Sequence, residues 1–499
     1  MSGFLYSVLY AINIAALAYF AILNIVYFVL MVLGWRGINA YLDRRLVTNY
    51  AALADSTHAP PISIIVPAYN EEPVIVDVVS ALLRADYPKL EVVIVNDGST
   101  DETLAVLDAA FGLVRLERVP RARLATAEVL GVHQSRADAR LVVIDKQNGG
   151  KADSINAGLC FARFPLVCAV DSDTMIDDDA LLRLAKPFMD DATTVACGGV
   201  VRVANGSRVE NGRVRDVKTP SGLLENIQIV EYLRAFLAGR IGWSKCGALL
   251  IISGAFGLFH RQTVIEAGGY DASTVGEDAE LVVRLHRHCR EQGRPYRVVF
   301  VADPVCWTEA PSSLRVLCRQ RNRWHRGLVE TLWRHRGMIG RPRYGAVGLF
   351  ALPYFLVFEA LGPLLELAGY VSFSLAIALG AIDAAHAFAF FALAMLVGLV
   401  LSIGSLVIEE RAFRRYRRWS CTLKLIAASV IENFGFRQVL SIVRSGAFIT
   451  LARGGSSWGA MPRSGFSGGG LEAVPALDDD APVEASARRG EGDPPRLAA

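Results

Sequence analysis

Phe164-Pro-Leu-Val-Cys-Ala-Val170-Asp171-Ser172-Asp173 is the stretch that decides how this chain is read. Its first seven residues form a short aliphatic run, the pattern of a buried strand. The run ends in two carboxylates one residue apart. Packing does not account for them, because burying one unpaired charge is costly and two adjacent like charges are costlier. A divalent cation relieves the repulsion, and a hard ion such as Mg2+ keeps one or two carboxylates and completes its shell from phosphate oxygens. A solvated turn is the competing reading, since D-x-D alone satisfies many turns. The neighbouring sequence decides between the two.

Upstream, from Pro60, strands alternate with helices. Ile62-Ser-Ile-Ile-Val66 reads as a strand, and Pro67-Ala-Tyr-Asn-Glu71 as the loop after it. Residues 73–84 have helical spacing through Val74, Val78, Ala81 and Leu82. Val92-Val-Ile-Val95 is a second strand, ending in Asn96-Asp97-Gly-Ser-Thr-Asp101, whose Asp and Gly suit a turn into a helix. Arg140-Leu-Val-Val-Ile144 is a third strand and 164–170 a fourth. This alternation predicts a parallel sheet with helices on both faces and ligands at the carboxyl ends of the strands. The polar loops after strands one, two and four therefore converge on one cleft. Asn148-Gly-Gly-Lys151 lies between strands three and four. As a phosphate loop of the form G-x-x-x-x-G-K-[ST] it fails twice, at Asp145 and Ala152, although two glycines and a lysine at a helix start still suit a phosphate.

Downstream, residues 205–222 are polar and Gly-rich and read as an exposed loop over the cleft. Ile251-Ile-Ser253-Gly254-Ala follows, then Thr274-Val-Gly276-Glu277-Asp278 at the start of a helix, where acidic charge is favourable in its own right. Gln320-Arg-Asn-Arg323-Trp324 lies in an arginine-rich amphipathic segment. Spacings of i, i+3 and i+4 put Gln320, Arg323 and Trp324 on one helix face. A basic helix on a membrane surface is the plain reading. The functional one is an arginine for pyrophosphate and an aromatic face for a sugar ring.

The 499 residues are 53% hydrophobic, which points to membrane segments. A net charge of +3 is too small to argue for nucleic acid. Eight scattered cysteines form no C-x-x-C pair, which argues against zinc and a disulfide framework and fits a reducing compartment. Residues 4–33 are nearly all apolar, enough for one transmembrane helix; the run is too long for a cleaved signal peptide and no basic residue precedes it. Arg36, Arg44 and Arg45 place its far end in the cytoplasm. Residues 344–383 and 386–408 form a second apolar region, broken at Asp383-Ala-Ala-His386 and bracketed by arginines at 341, 343 and 411–418. Cytoplasmic brackets require an even number of crossings, and two fit. Glu359 and Glu366 within it should face protein or a water-filled path. Residues 419–450, with Lys424, Glu432 and Arg437, read equally as a crossing or an interfacial helix.

A strand with a P-A-Y-N-E loop, an N-D-G-S-T-D turn, D-x-D, G-E-D and Q-x-x-R-W occur here in that order, followed by membrane helices. In this the chain resembles the processive family 2 membrane glycosyltransferases, which include cellulose, hyaluronan, chitin and poly-N-acetylglucosamine synthases. The motifs span about residues 60–330. The resemblance implies an α/β GT-A domain, a Rossmann-like mixed sheet, together with transmembrane and interfacial helices. The expected layout is a transmembrane helix at 1–35, a cytoplasmic linker at 36–59 and the GT-A domain at 60–310. An amphipathic interfacial segment follows at 311–343, then membrane or interfacial helices at 344–450 and a disordered tail at 451–499.

Carried over position by position, Pro67, Ala68, Tyr69, Asn70, Glu71 and Asp97 would hold the uridine, and Lys151 would lie near the diphosphate. Asp171 and Asp173 match the pair that contacts the nucleotide and its Mg2+ or Mn2+. Asp278 matches the general base, with Glu277 beside it and Asp173 completing the catalytic carboxylates. Ser253 and Gly254 precede the acceptor site, while Gln320, Arg323 and Trp324 match the lining of the pyrophosphate site and channel mouth. The implied activity is an inverting hexosyltransferase that extends a β-linked polysaccharide from a UDP-sugar donor. The implied partners are that donor, the growing polysaccharide, membrane lipid and accessory export or regulatory subunits, with no nucleic acid. The implied place is the bacterial inner membrane, multi-pass, with the catalytic domain cytoplasmic.

Two departures stand out, the second of them harmless. The tail is short and acidic, without the R-x-x-x-R motif and β-barrel that bind cyclic-di-GMP in cellulose synthase. Val275 precedes G-E-D where several family members carry Thr. Ser253-Gly-Ala-Phe resembles the acceptor segment of N-acetylglucosamine polymerases, which favours an amino-sugar donor. The competing functions are a non-processive transferase acting on a lipid-linked acceptor and a silent scaffold. The latter predicts lost carboxylates, yet Asp97, Asp171, Asp173 and Asp278 are all present.

Overall fold

The structure, a computed structural model, describes residues 2–50, 53, 59–210, 213–416 and 418–453. Its strands are β1 Ile62–Ala68, β2 Leu90–Asp97, β3 Leu113–Arg115, β4 Val129–Ser135, β5 Leu141–Lys146 and β6 Leu166–Val170. After these come β7 Met175–Ile176, β8 Thr194–Val203, β9 Arg208–Glu210, β10 Arg213–Asp216, β11 Phe256–His260 and β12 Arg297–Thr308. Around them lie α1 Ser2–Val47, α2 Ile75–Leu83, α3 Thr103–Phe111, α4 Lys151–Phe161 and α5 Ala180–Asp190. Next are α6 Leu223–Tyr232, α7 Arg240–Lys245, α8 Arg261–Glu266, α9 Glu277–Glu291 and α10 Leu314–Arg334, with a π-helical segment Leu233–Gly239 joining α6 to α7. The last helices are α11 Val347–Ala360, α12 Gly362–Ala378, α13 Ala384–Ala412 and α14 Trp419–Ala452.

Ten strands form one sheet in the order β3-β4-β5-β2-β1-β6-β11-β8-β12-β7. At its centre β1 runs parallel to β2 and β6, and β2 to β5. Alternate residues of these strands serve separate cores, so the strands read as continuous aliphatic runs. Ile65, Val93 and Ile144 face a core closed by α4 and the α6–α7 region, while Ile64, Val92 and Ile94 face one closed by α2, α3 and α5. Each such side chain removed from water contributes about 1.5–3 kcal/mol.

The sheet is mixed, as a GT-A domain requires, and not wholly parallel as the strand–helix alternation alone implied. β11 enters antiparallel between β6 and β8, pairing Phe256 with Val170. This pairing brings Ser253-Gly254-Ala255 beside the end of β6, where the Asp171 amide donates to the Ala255 carbonyl at 3.4 Å. Residues 205–222, expected as an exposed loop, include the antiparallel hairpin β9–β10. Val209 and Val214 of that hairpin pack on Met175 and Trp307, which is why the segment is not simply solvated.

The amino-terminal apolar run is part of a single helix that continues to Val47, through the stretch read as the start of a linker at 36–59. Contact with the α/β domain explains the extension. A methyl placed on Gly34 would lie 2.6 Å from the Ala238 carbonyl oxygen, and one on Gly242 would lie 2.7 Å from that of Leu30. Backbone therefore meets backbone where α1 crosses the Leu233–Gly239 segment and α7. Farther along α1, Arg45 pairs with buried Asp303 at 3.3 Å, and the Tyr41 hydroxyl donates to the same carboxylate.

Among the described residues α1, α13 and α14 are each long and apolar enough to cross a membrane, and α11 and α12 pass the same test together, bent by 44° as a broken span or a re-entrant loop. Pro363, in the first turn of α12, lacks the N–H that a straight helix would need at the bend. Asp383 caps α13 by accepting from the amides of Ala385 and His386, which accounts for the polar break in the apolar region. Arg202 of β8 pairs with Glu409 of α13, both buried, and so ties the sheet to the helical region. Residues 454–499, nearly all of the expected disordered tail, lie outside the described residues.

The Gly242 contact gives a test. Gly242→Val forces the α1 and α7 backbones apart and should destabilise the protein by about 1–3 kcal/mol, the range for overpacking. Gly337→Ala, at an exposed position with no positive φ where an added methyl meets nothing within 4 Å, serves as the control. Thermal unfolding in detergent should show a clear drop only for Gly242→Val.

Candidate active site

The loops after β1, β2 and β6 meet at one edge of the sheet, on the wall of a cavity of about 2740 Å3. Asn70 sits at φ 54°, in the left-handed region that asparagine tolerates. Its Oδ1 accepts from the Thr100 amide at 2.8 Å, its own amide donates to Ser99 Oγ at 3.0 Å, and the Glu71 amide donates to Thr103 Oγ1 at 2.9 Å. The first two loops are thereby locked together. Ser172 Oγ donates to Glu71 Oε1 at 2.6 Å, which adds the D-x-D turn to the same unit. Tyr69, Asn70 and Glu71 line the cavity, whereas Pro67 and Ala68 do not. The last two belong to β1, and Ala68 is buried under the sheet. Of the P-A-Y-N-E stretch, the last three residues reach the cavity.

Asp97, at the end of β2, is buried, and both its oxygens are occupied. Lys146 Nζ lies 2.5 Å from Oδ1, the Gly149 amide donates to Oδ1 at 3.0 Å, and the Gly150 amide donates to Oδ2 at 2.8 Å. Lys146 is itself fully buried and pairs with Asp153 at 2.7 Å. This carboxylate therefore holds the loop that opens α4, the helix beginning at Lys151. Sequence reasoning missed Lys146. Its one signal is a charge closing the aliphatic run Leu141-Val-Val-Ile144.

Lys151 stands among the acids. Its Nζ lies 2.5 Å from Asp171 Oδ1 and 3.7 Å from Glu277 Oε1, and it donates to the Gly254 carbonyl at 3.5 Å. Burial disfavours the ammonium charge, but the Asp171 and Glu277 carboxylates outweigh that and hold its pKa above the ordinary lysine value. Burial pushes the Glu277 carboxyl well above the carboxylate range; Lys151 opposes this and Asp278 adds to it. Asp278 Oδ2 accepts from the Gly254 amide at 2.8 Å and Oδ1 from the Ala279 amide at 2.7 Å. A methyl on Gly254 would stand 3.3 Å from Asp278 Oδ2 and 3.4 Å from Lys151 Nζ, so a side chain here would press on both. Asp173 and Ser253 line the same cavity.

α10 supplies the opposite wall. Gln320, Arg323 and Trp324 all line the cavity, and Trp324 is 38% exposed. Arg321 stacks over the Trp324 ring at 4.4 Å and pairs with Glu231 at 2.8 Å. Arg240 also lines the cavity, its guanidinium 4.0 Å from the Phe236 ring centre. Burial lowers Arg240 to about 10, with Asp278 pulling the other way. Neither Arg240 nor Glu231 carries a motif by which sequence alone would find it. The cavity continues between the membrane helices, where Tyr27, Glu359, Glu366, Phe373 and Phe390 line it.

Comparison with known proteins adds the following. The family model described as glycosyltransferase like family 2 matches residues 60–327. A poly-beta-1,6-N-acetyl-D-glucosamine synthase of Staphylococcus epidermidis is 28% identical over 288 residues, covering 57% of this chain and 59% of the relative. The synthase of the same description from Staphylococcus aureus is 30% identical over 276 residues, covering 55% and 56%. The match thus spans less than two thirds of these relatives' length. Among solved structures, a mannosyltransferase of Pyrobaculum calidifontis in complex with GDP-Man and Mn2+ superposes with a TM-score of 0.49 at 21% identity, covering 86% of this chain and 99% of that one.

The local electrostatics make two predictions. Asp97→Ala removes one of the two carboxylates paired with buried Lys146, leaving Asp153 and the Gln147 carbonyl, and should cost about 3 kcal/mol, the scale for breaking a buried pair. A fall in unfolding midpoint should therefore accompany any loss of nucleotide affinity. Glu277 has its folded pKa raised, so its stabilising contribution is complete below the ordinary carboxylate value and is lost as pH rises through the raised value. Against Glu277→Gln, the wild-type midpoint should decline between mildly acidic and neutral pH. Parallel curves would contradict the assignment.

Proposed function

The chain belongs to the glycosyltransferase-like family 2, and from that premise we propose that it is an inverting, metal-dependent polymerase of a UDP-linked amino sugar, UDP-N-acetylglucosamine, that passes its β-linked product across the membrane. The observation that carries this reading is the continuity of one cavity from Asp171, Lys151 and Asp278 past Trp324 to the space between the helices. Against the alternative, a transferase that puts one sugar on a lipid-linked acceptor, stands Gln320-Arg-Asn-Arg323-Trp324, a signature that accompanies chain extension in the family. The two synthases named for poly-beta-1,6-N-acetyl-D-glucosamine favour the amino sugar.

Asp171 and Asp173 offer two hard oxygen donors on the cavity wall, and among the described residues no cluster of three or more His, Cys, Asp or Glu gathers to cage an ion. That set fits Mg2+ or Mn2+ completing its shell on the donor diphosphate. When bound, the ion neutralises charge on the leaving diphosphate. Lys151 and Arg323, both on the cavity wall, add fixed positive charge for the same purpose. Tyr69, Asn70 and Glu71 hold the nucleotide from the β1 loop.

The acceptor hydroxyl attacks the anomeric carbon from the face opposite the diphosphate. Its O–H bond breaks toward Asp278, the new C–O bond forms, and the anomeric C–O bond to phosphate breaks with its electron pair leaving on UDP. One displacement inverts the centre, so an α-linked donor gives a β linkage. The Gly254 and Ala279 amides, each on one oxygen of Asp278, fix the carboxylate that takes the proton.

Along the exit path the acidic groups are ion-paired or hydrogen-bonded, as intramembrane acids normally are. Tyr27 donates to Glu359 Oε1 at 3.0 Å, and Arg444 pairs with Glu359 Oε2 at 3.1 Å. Ser441 donates to Glu366 Oε2 at 2.5 Å. Aromatic rings such as Phe373 and Phe390 share the wall with them, a surface suited to a neutral hydrated sugar chain.

The test is UDP release by detergent-purified protein across a panel of UDP-sugars with Mg2+ or Mn2+. Turnover should require the ion, prefer UDP-N-acetylglucosamine and fall about 100-fold or more in Asp278→Asn, the scale of a lost general base. Product length on a gel reports polymerisation. A folded Asp278→Asn protein with normal turnover would remove Asp278 from the mechanism, and silence with every donor would remove the transferase reading.

A further inference from the structure

α10 does more than present Gln320, Arg323 and Trp324. Gly327 and Glu330, one turn apart and therefore on one face, press against the turn that delivers Asp278. Glu330 Oε2 accepts from Thr274 Oγ1 at 2.7 Å and from the Val275 amide at 3.2 Å, and Thr274 Oγ1 in turn accepts from the Gly276 amide at 3.3 Å. A methyl on Gly276 would lie 2.8 Å from Gly327 Cα, and one on Gly327 would lie 2.8 Å from Gly276 Cα. The two backbones touch, and no side chain at either glycine could fit. Gly276 is also the residue that caps α9, and having no side chain it offers the helix none of its own. The direction in which α9 starts, and with it the place of Asp278 two residues on, is thus imposed from outside by α10. His335 at the end of α10 holds Glu280 at 3.0 Å, and Arg334 holds Asp271, so the turn is braced on both sides of the Glu330 contact.

We propose that Glu330 is a positioning residue for Asp278. It receives Thr274 and Val275 so that the turn Thr274–Asp278 keeps the carboxylate on the Gly254 amide and in line with the acceptor hydroxyl. One rigid helix then sets both the Trp324 wall and the placement of the base, so the acceptor chain and the proton acceptor are registered against the same element. The catalytic consequence rests on the transferase reading; the structural claim does not.

The experiment uses the full chain in detergent, as wild type, Glu330→Ala, Glu330→Gln and the shape-conserving Thr274→Val. Hydrogen–deuterium exchange is followed on peptides covering 274–280, with UDP binding as the check that the site is intact. Glu330→Ala and Thr274→Val should speed exchange there about tenfold, while Glu330→Gln, which keeps an oxygen acceptor, should stay near wild type. In turnover, Glu330→Ala should lose about 10- to 100-fold in kcat with the donor KM within about twofold, because misplacement of a reacting group by about 1 Å costs that much. Unchanged exchange in both Glu330→Ala and Thr274→Val overturns the proposal, as does a rise in donor KM that matches the fall in kcat. If the wild type turns over no UDP-sugar, the transferase reading falls while the exchange data still decide the role of Glu330.

Discussion

Three carboxylates, Asp171, Glu277 and Asp278, converge on the ammonium group of Lys151, and the site depends on that cation being where it is. Without it, acids brought together in a half-buried cleft would repel one another and take up protons. With it, the repulsion is offset, Lys151 lying 2.5 Å from Asp171 and 3.7 Å from Glu277. The raised pKa of Glu277 comes chiefly from its burial, which Lys151 only partly offsets.

Lys151 is in turn placed by a buried pair five residues earlier. Lys146 and Asp97 neutralise each other beneath the sheet edge, and Asp97 spends its remaining acceptor capacity on the Gly149 and Gly150 amides that open α4. The pair is costly to desolvate and more costly to break, so it acts as a fixed peg. The antiparallel entry of β11 supplies the other half of the frame. It lays Gly254 against Asp278 and Lys151, where its small size admits both.

The same economy of side chains joins the domain to its helices. Gly34 and Gly242 let α1 rest on the α/β domain backbone to backbone, and Gly276 and Gly327 do the same between the Asp278 turn and α10. Contacts of this kind have little play, because there is no flexible side chain to absorb a shift. The cavity that begins at the sheet edge can therefore keep its line into the helical region.

The residues proposed to do chemistry were legible in the sequence because each carries a local mark. Asp171 and Asp173 break an aliphatic run, Asp97 ends one, Lys151 follows two glycines, and Asp278 opens a helix. The central strands were legible for the same reason, since a strand buried on both faces must be aliphatic throughout. What the sequence could not state is which partners those groups meet. Asp97 read as a ligand contact; it lines the cavity and also holds Lys146, a partner the sequence did not indicate. The strand–helix alternation read as a parallel sheet, yet β11 runs antiparallel because its partner is chosen by pairing across more than eighty residues. Glu330, Gly327 and Arg240 carry no local signal at all; their roles arise from contacts between elements distant in the chain. By itself the sequence determined the family resemblance, through charged motifs set in a fixed order at strand and helix ends. Only the tertiary structure decided how those charges are balanced and what holds them in line, because balance and alignment are properties of distance, and distance is set by packing.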